Sequence, residues 1–297
     1  MSEVEIRLLN KDTDIDIFSK FLSLYSKERG SHDYIKWIYS LCSEESFTYI
    51  ALLNKEIIGC YTVCIRDIVL NSITYKSGII IQAVVNNQYS DKISVIDLSF
   101  KSFSEARSRG VDFLITYPNP IYEIVQLKLE RVIKIRKFKS FIFQGSLLDF
   151  NLSYQELEDL NFLTNDYIKN DNGFVYTKSL LENRFFNHPF NTYTVLYLDE
   201  SNFVIIKKFN EYAHIVYADC KSEKKCMDVF LSYCSGKNLK PSVWPLRKFD
   251  IDFLIENNFA SVGFEYFIGV KILNNELRSK GLKFENLYIA MADSDVF

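Results

Sequence analysis

The sequence predicts an α/β (α+β) protein made of two tandem halves, each a mixed, mostly antiparallel sheet with helices on both faces. Three features predict it. Strand-like runs follow at short intervals, then come a helical stripe and an apolar run that must pair in parallel. From residue 150 the same order begins again. The breaks match as well: Pro118 follows "LITY" and Pro245 follows "SVW", in a chain of 297 residues with five prolines.

Taken in order, residues 14–27 place Ile17, Phe21 and Leu24 on one helical stripe, with Phe18, Leu22 and Tyr25 beside it. A second helix, "SHDYIKWIYSLC", starts after Gly30 with Ser31 as its cap. A meander of about four strands follows: "FTYIALL", a turn at Asn54-Lys55, "IIGCYTVCI", a turn near Asn71, "ITYK" and "GIIIQAVV". Ile96, Phe100 and Phe103, widened by Val95 and Ala106, then mark a helix that Gly110 ends. "VDFLITY" follows that crossover and should pair in parallel with "GIIIQAVV". Prolines halt it, "IYEIVQLKLE" reads as a helix, and "VIKIRKFKSFIF" as a positively guarded edge strand. In the second half, "NRFFNHPFNTYTVLYLDESNFVIIKK" echoes residues 35–63, and residues 220–270 repeat helix, strand, proline, helix, strand. The boundary falls in the polar stretch 145–160, giving domains 1–148 and 149–297.

A chain 48% hydrophobic can bury two medium cores. A net charge of −3 supplies no basic footprint for nucleic acid. The start "MSEVEIRLLN" has no apolar leader, and no apolar run approaches the roughly 18 residues of a membrane helix. No membrane partner is expected, and six cysteines without C-x-x-C spacing read as reduced thiols of a cytoplasmic protein. Cys60 and Cys64, four apart in a strand, face one side and suit burial. His32, His188 and His214 show no metal spacing, so no metal is expected.

The meander, helix, parallel strand, helix and final strand resemble the GNAT acyltransferases. "NKEIIGCYTV" matches that family's early strand, "IIIQAVVNNQYSDKISVIDLSFKSFSEARSRGVDFLI" its acyl-CoA strand, loop and helix, and "YPNPIYEIVQLKLERV" its fifth-strand break. The match covers residues 5–145, and the second half looks like a degenerate copy contributing to acceptor binding. The tandem layout resembles N-acyltransferases that finish nucleotide-linked amino sugars for bacterial surface polysaccharides.

The resemblance implies acyl-CoA as co-substrate, held by Ala83, Val84, Val85, Asn87, Ser90, Asp91, Lys92, Ile93, Tyr117 and Asn119. The family's glycine-containing loop is replaced by "NNQYSDKIS", so Asn86, Asn87 and Asp91 are left to fill any positive-φ positions. Pro118 keeps the gap between the fourth and fifth strands open for pantetheine. Asn119 bonds the pantetheine arm or caps the next helix. A neutral amine attacks the thioester directly, with Ala83–Val85 N–H groups polarising its oxygen. Gln82 orients the amine or a water, or simply faces outward. Tyr122 is the candidate acid for the departing thiolate.

His188 and Asp219 are candidate bases or acceptor contacts, and each has an equally available structural role. Trp244 with Arg247 suits stacking and phosphate binding for a nucleotide, against a plain core role for the Trp. Lys134, Arg136 and Lys139 could clamp phosphates. The acceptor expected is a nucleotide-linked amino sugar, with the protein a monomer or homodimer. A non-catalytic tandem module, or transfer to an aminoglycoside or peptidoglycan peptide, stands as the alternative.

Overall fold

The computed structural model describes residues 3–117, 122–169, 172–245, 249–279, 281, 282, 284 and 287. It divides into two compact units, one running to Arg136 and taking back a segment that begins at Phe267, the other spanning Lys137–Tyr266.

In the first unit β1 (Glu5–Leu8), β2 (Phe47–Leu53), β3 (Glu56–Leu70) and β4 (Ile73–Val85) pair antiparallel in that order. Two-residue hairpin turns of type I′ need both residues at positive φ, and Asn54-Lys55 and Asn71-Ser72 supply them (φ 51°, 69°, 50° and 64°). "ITYK" and "GIIIQAVV" are therefore one strand rather than two. On one face lie α1 (Ile15–Ser23) and α2 (His32–Ser40), the latter capped by Ser31, whose side chain accepts from the Tyr34 N–H. Phe18, Phe21, Leu22 and Ile35 pack there on Ile50, Leu52 and Cys60.

The opposite face carries α3 (Val95–Ser108), which leads to β5 (Phe113–Thr116), parallel to β4 as expected. The buried stripe of α3 is Leu98, Ser99, Ser102, Phe103 and Ala106, while Phe100 is exposed. Phe103 and Ala106 are buried as expected, but the stripe runs on through Leu98, Ser99 and Ser102 rather than through Ile96 and Phe100, a partial rotation of the expected register. After β5 come α4 (Glu123–Lys128) and β6 (Ile133–Phe143).

The second unit holds β7 (Gln155–Leu157), β8 (Ile168–Lys169), β9 (Tyr176–Thr177), α5 (Lys178–Leu181) and a π-helical turn, Glu182–Phe186. There β10 (Tyr193–Asp199), β11 (Asn202–Phe209) and β12 (Tyr212–Cys220) repeat the meander. Next, α6 (Glu223–Lys237) crosses to β13 (Lys240–Val243), parallel to β12. The chain closes with α7 (Ile251–Glu256), β14 (Phe259–Ile272) and α8 (Asn275–Ser279). The stretch Gly269–Ile272 of β14 pairs antiparallel with Thr116–Phe113 of β5, inside the first unit.

Two further expectations are corrected. In the second unit β13 pairs with Phe141 and Ile142, so β6 is not an edge strand. Two of its charges are matched: Lys134 pairs with Glu123 and Lys137 with Glu265. A phosphate clamp on β6 loses its free cation at Lys134. Cys42 and Cys64 form a disulfide rather than two thiols; Cys60, Cys220, Cys226 and Cys234 are outside any disulfide and buried.

Candidate functional site

The first unit's site is built around the far end of β4. Its parallel pairing with β5 runs from Ser77↔Phe113 to Ile79↔Ile115. Thr62 of β3 pairs with Gln82 and Val63 with Ile80, so Ile81 is an extra residue, a β-bulge immediately beyond the last β5 pair. A bulge bends its strand and strengthens its twist, which turns residues 82–85 away from β5.

The antiparallel ladder decides which backbone groups are left over. Asn86 N–H donates to Ile58 O at 2.8 Å, which makes 58/86 a hydrogen-bonded pair. Alternation then directs Val84 at Cys60 and leaves Ala83 and Val85 directed at the open side. Of the three expected backbone donors, Val84 is thus spent on β3, and its side chain packs on the α1–α2 face.

Gln82 lies on that same face, buried. Tyr39, Thr48, Thr62 and Gln82 form one chain across three strands: Tyr39 Oη to Thr48 Oγ1 at 2.6 Å, Thr48 to Thr62 at 2.9 Å, and Thr62 Oγ1 donating to Gln82 Oε1 at 3.0 Å. The chain fixes the Gln82 oxygen inward, leaving its amide N–H groups without a partner among the described residues. Oriented donors beside an open strand edge suit an oxygen of a bound molecule.

On the α3 face, Tyr122 donates its hydroxyl to Glu130 Oε1 at 2.7 Å. Glu130 is fully buried, its other oxygen accepts no hydrogen bond among the described residues, and Ser99 of α3 also faces it. Burial first raises the Glu130 carboxyl above the ordinary glutamate range. The Tyr122 phenol stands well above 10, through burial and then the neighbouring Glu130. Tyr61 of β3, opposite Ala83, brings another buried hydroxyl to the pair. Thr116 and Gln126 tie β5 to α4 at 2.8 Å. Glu130 was not among the expected residues. It closes a short helix in "KLERV", where nothing in the local pattern announces its burial.

The loop from 86 to 94 departs from expectation. Asn86, Asn87 and Asp91 are absent from the residues at positive φ; a 3₁₀ turn at Asn87–Tyr89 carries the chain instead, capped by Asn86 at φ −66°. Ser90 bonds the Asn87 carbonyl, Lys92 pairs with Asp91 at 3.1 Å, and Ile93 is core. The N-terminus of α3 is closed by its own capping box, Ser94 with Asp97. Phosphate there would meet the Asp97 carboxylate. An open groove of about 690 Å³ on this side is lined by Glu3, Asp91 and Asp97 together with Lys92 and Lys101. Across the loop, a cavity of about 470 Å³ is lined by Phe21, Leu24, Tyr25, Tyr89, Lys20 and Lys55, with Glu56. Neither lysine is in an ion pair among the described residues.

The other expected residues separate. Tyr117 directly follows β5, half-buried. Asn119 and Arg247 lie outside the described residues. Trp244 is buried in the second unit, packed on Phe138 and Tyr266, its indole N–H donating to Ser140 at 2.9 Å. His188 holds its own turn, Nδ1 accepting from the Phe190 and Asn191 N–H groups at 3.0 Å, and burial holds its pKa down at about 4. Asp219 is buried and accepts from Tyr167 at 2.8 Å.

The second unit repeats the strand device without the loop. Ile205 pairs with Tyr217 and Ile206 with Ile215, so Val216 is a bulge just past the Ile215↔Val243 end of the parallel pairing. Only Lys221 and Ser222 join β12 to α6, and both N–H groups are taken by Asn202 Oδ1. Tyr217, bonded to Tyr167 at 2.9 Å, fills the space beside β12 with Phe203 and Tyr176. Among the described residues no His/Cys/Asp/Glu cluster could hold a metal, and no helix is long and apolar enough to cross a membrane.

No family model matches the chain, and no curated protein matches it. Solved structures do. A conserved Enterococcus faecalis V583 protein, described as a probable N-acyltransferase, aligns at 10% identity and TM-score 0.67 over 92% of this chain and 73% of its own. A GCN5-related N-acetyltransferase from Kribbella flavida aligns at 11% and 0.63, over 91% and 71%. A tandem GNAT protein from the clavulanic acid biosynthesis pathway aligns at 8% and 0.60, over 92% and 99%. At these identities the likeness is one of fold: the chain has the GNAT fold and aligns along its length with a tandem GNAT.

Proposed function

We propose that the chain is an acyl-CoA-dependent N-acyltransferase whose site lies at the end of β4 in the first unit. The observation that supports it is the opened strand edge: a bulge at Ile81 just past the last β5 pair, with Ala83 and Val85 backbone groups directed outward. An extended pantetheine arm can pair there as an added strand would. The thioester oxygen takes an outward N–H, the amine attacks the carbonyl carbon, and Tyr122 delivers a proton to the departing thiolate. Phosphates are favoured on the side of the loop where Lys20 and Lys55 outnumber Glu56, away from the groove where Glu3, Asp91 and Asp97 outnumber Lys92 and Lys101.

For the acceptor we propose the amine of a nucleotide-linked amino-deoxy sugar such as a dTDP-amino-6-deoxyhexose, whose ring oxygens suit the oriented Gln82 donors. Acetyl-CoA and hydroxybutanoyl-CoA, each with dTDP-amino sugars, would be assayed by release of free thiol. Silence across the panel, with no CoA binding by calorimetry, ends this reading. One observation favours a second: the self-capped α3 and the loop without a left-handed residue fit a tandem GNAT-fold module that binds no CoA. Calorimetry alone separates the two.

A further inference from the structure

We propose that Glu130 is the terminal proton acceptor of the first unit's site, acting through the Tyr122 phenol, which takes a proton from the attacking amine as it passes its own to Glu130. The proposal rests on the acyltransferase reading and supplies the base that reading lacks.

The geometry sets the direction of the relay. Tyr122 commits its proton to Glu130 Oε1 at 2.7 Å, so what the phenol offers elsewhere is a lone pair. Glu130 is fully buried and its Oε2 accepts no hydrogen bond among the described residues, so a proton arriving on the carboxyl relieves a poorly solvated charge. The groups facing it come from every neighbouring element. Tyr61 comes from β3, Ser99 from α3, Tyr122 from the start of α4, and Lys271 from β14, its Nζ donating to the Glu130 carbonyl at 2.6 Å. Arg107, Arg131 and Arg278 lie around Lys271. Burial raises the carboxyl above an ordinary glutamate, Lys271 opposing the rise, and a carboxylate raised in this way is the stronger base. Tyr122, raised by burial and by Glu130, does not persist as a phenolate, so the two transfers are coupled.

The step balances without another reactant. The C–N bond forms as the amine attacks the thioester. An N–H bond of the resulting ammonium breaks and an O–H bond forms on Tyr122, whose original O–H breaks as Glu130 gains the proton. The C–S bond breaks with its electron pair going to sulfur. The proton then returns from Glu130 through Tyr122 to the thiolate, and the pair is reset.

Glu130→Gln keeps an oxygen to accept from Tyr122 but cannot take its proton. In the full-length protein kcat should fall on the order of 10²–10⁴-fold with KM for both substrates nearly unchanged, and the acid limb of the kcat profile should disappear. Tyr122→Phe should fall by a similar factor, and the double variant no further. Independently of turnover, carbon-13 labelling of the tyrosine ring, with Tyr122 assigned by its loss in Tyr122→Phe, should show a shift as Glu130 titrates that is absent in Glu130→Gln. Full turnover with an intact acid limb in Glu130→Gln, or no such shift in the wild type, overturns the proposal alone. A wild-type chain inert with every donor overturns the acyltransferase reading and this role with it.

Discussion

Thr62 carries the most weight among single side chains of the first unit's α1–α2 face. It links Thr48 to Gln82, and all three are buried. Thr62→Val removes the hydroxyl and leaves two buried polar groups facing a methyl. Urea unfolding should report a loss of about 1–3 kcal/mol, with Thr62→Ser recovering most of it; equal losses for both would mean the hydrogen bonds do not matter. Asp97 tests the electrostatics of the loop. Asp97→Asn removes the carboxylate from the α3 N-terminus, at a cost to the helix of about 0.3–1 kcal/mol. CoA affinity by calorimetry should rise several-fold, and no change would mean the phosphates do not approach α3. The histidines of the second unit set an acid limit. Burial, aided by Lys207 and, for His188, Arg184, lowers His188 and His214 to about 4 from 6.5. The unfolded chain therefore binds protons first, so their share of stability is full above about 6.5 and is lost as pH falls toward 4. His188→Asn, which keeps a turn acceptor, should flatten that decline.

Among elements, the β4–β5 junction fixes the site. Gly78 sits in the middle of the parallel pairing, and a Cβ there would lie 2.7 Å from both Leu114 Cδ2 and Val63 Cγ1. Gly78→Ala should cost about 1–3 kcal/mol of overpacking, read as a lower urea midpoint with the slope unchanged. An unaltered midpoint would show that the junction gives way freely. The bulges at Ile81 and Val216 sit at corresponding places in the two units, each just beyond the last parallel pair. The residues that follow diverge: nine lead from β4 to α3, and two from β12 to α6. The strand device persists in both units, and the nine-residue loop belongs to the first.

At the scale of the molecule, the first unit is not continuous in sequence. Phe267–Ile272 belongs to it, Gly269–Ile272 pairs with β5, and Gly269 lets the strand pass close to Val132 and Thr116, where a Cβ would fall within 2.4 and 2.9 Å. Residues 1–148 expressed alone would lack that strand and expose the β5 edge and Phe113. The fragment should aggregate or show broad amide spectra, and a version with residues 259–287 appended through a flexible linker should recover dispersed ones. A fragment 1–148 that folds cooperatively by itself would refute this.

Much of the chain's architecture was already determined by sequence alone. The meander, the turn at Asn54-Lys55 and the one near Asn71, the Ser31 cap, the Gly110 stop and the parallel return at "VDFLITY" depend on periodicity and on backbone preferences acting over a few residues. The repetition of that order carried the tandem reading for the same reason. Only the tertiary structure decided what depends on distant partners. It placed Glu130 out of water beside Tyr122, set the bulge at Ile81 against the end of β5, rotated the buried stripe of α3 and joined Cys42 to Cys64. It also returned β14 to the first unit. The loop at 86–94 belongs with these: no glycine or proline marks its path, and the Asn86 N–H ties its start to the Ile58 carbonyl of a strand far back in the chain. Burial, charge pairing and strand exchange are settled by residues far apart along the chain, and no local pattern records them.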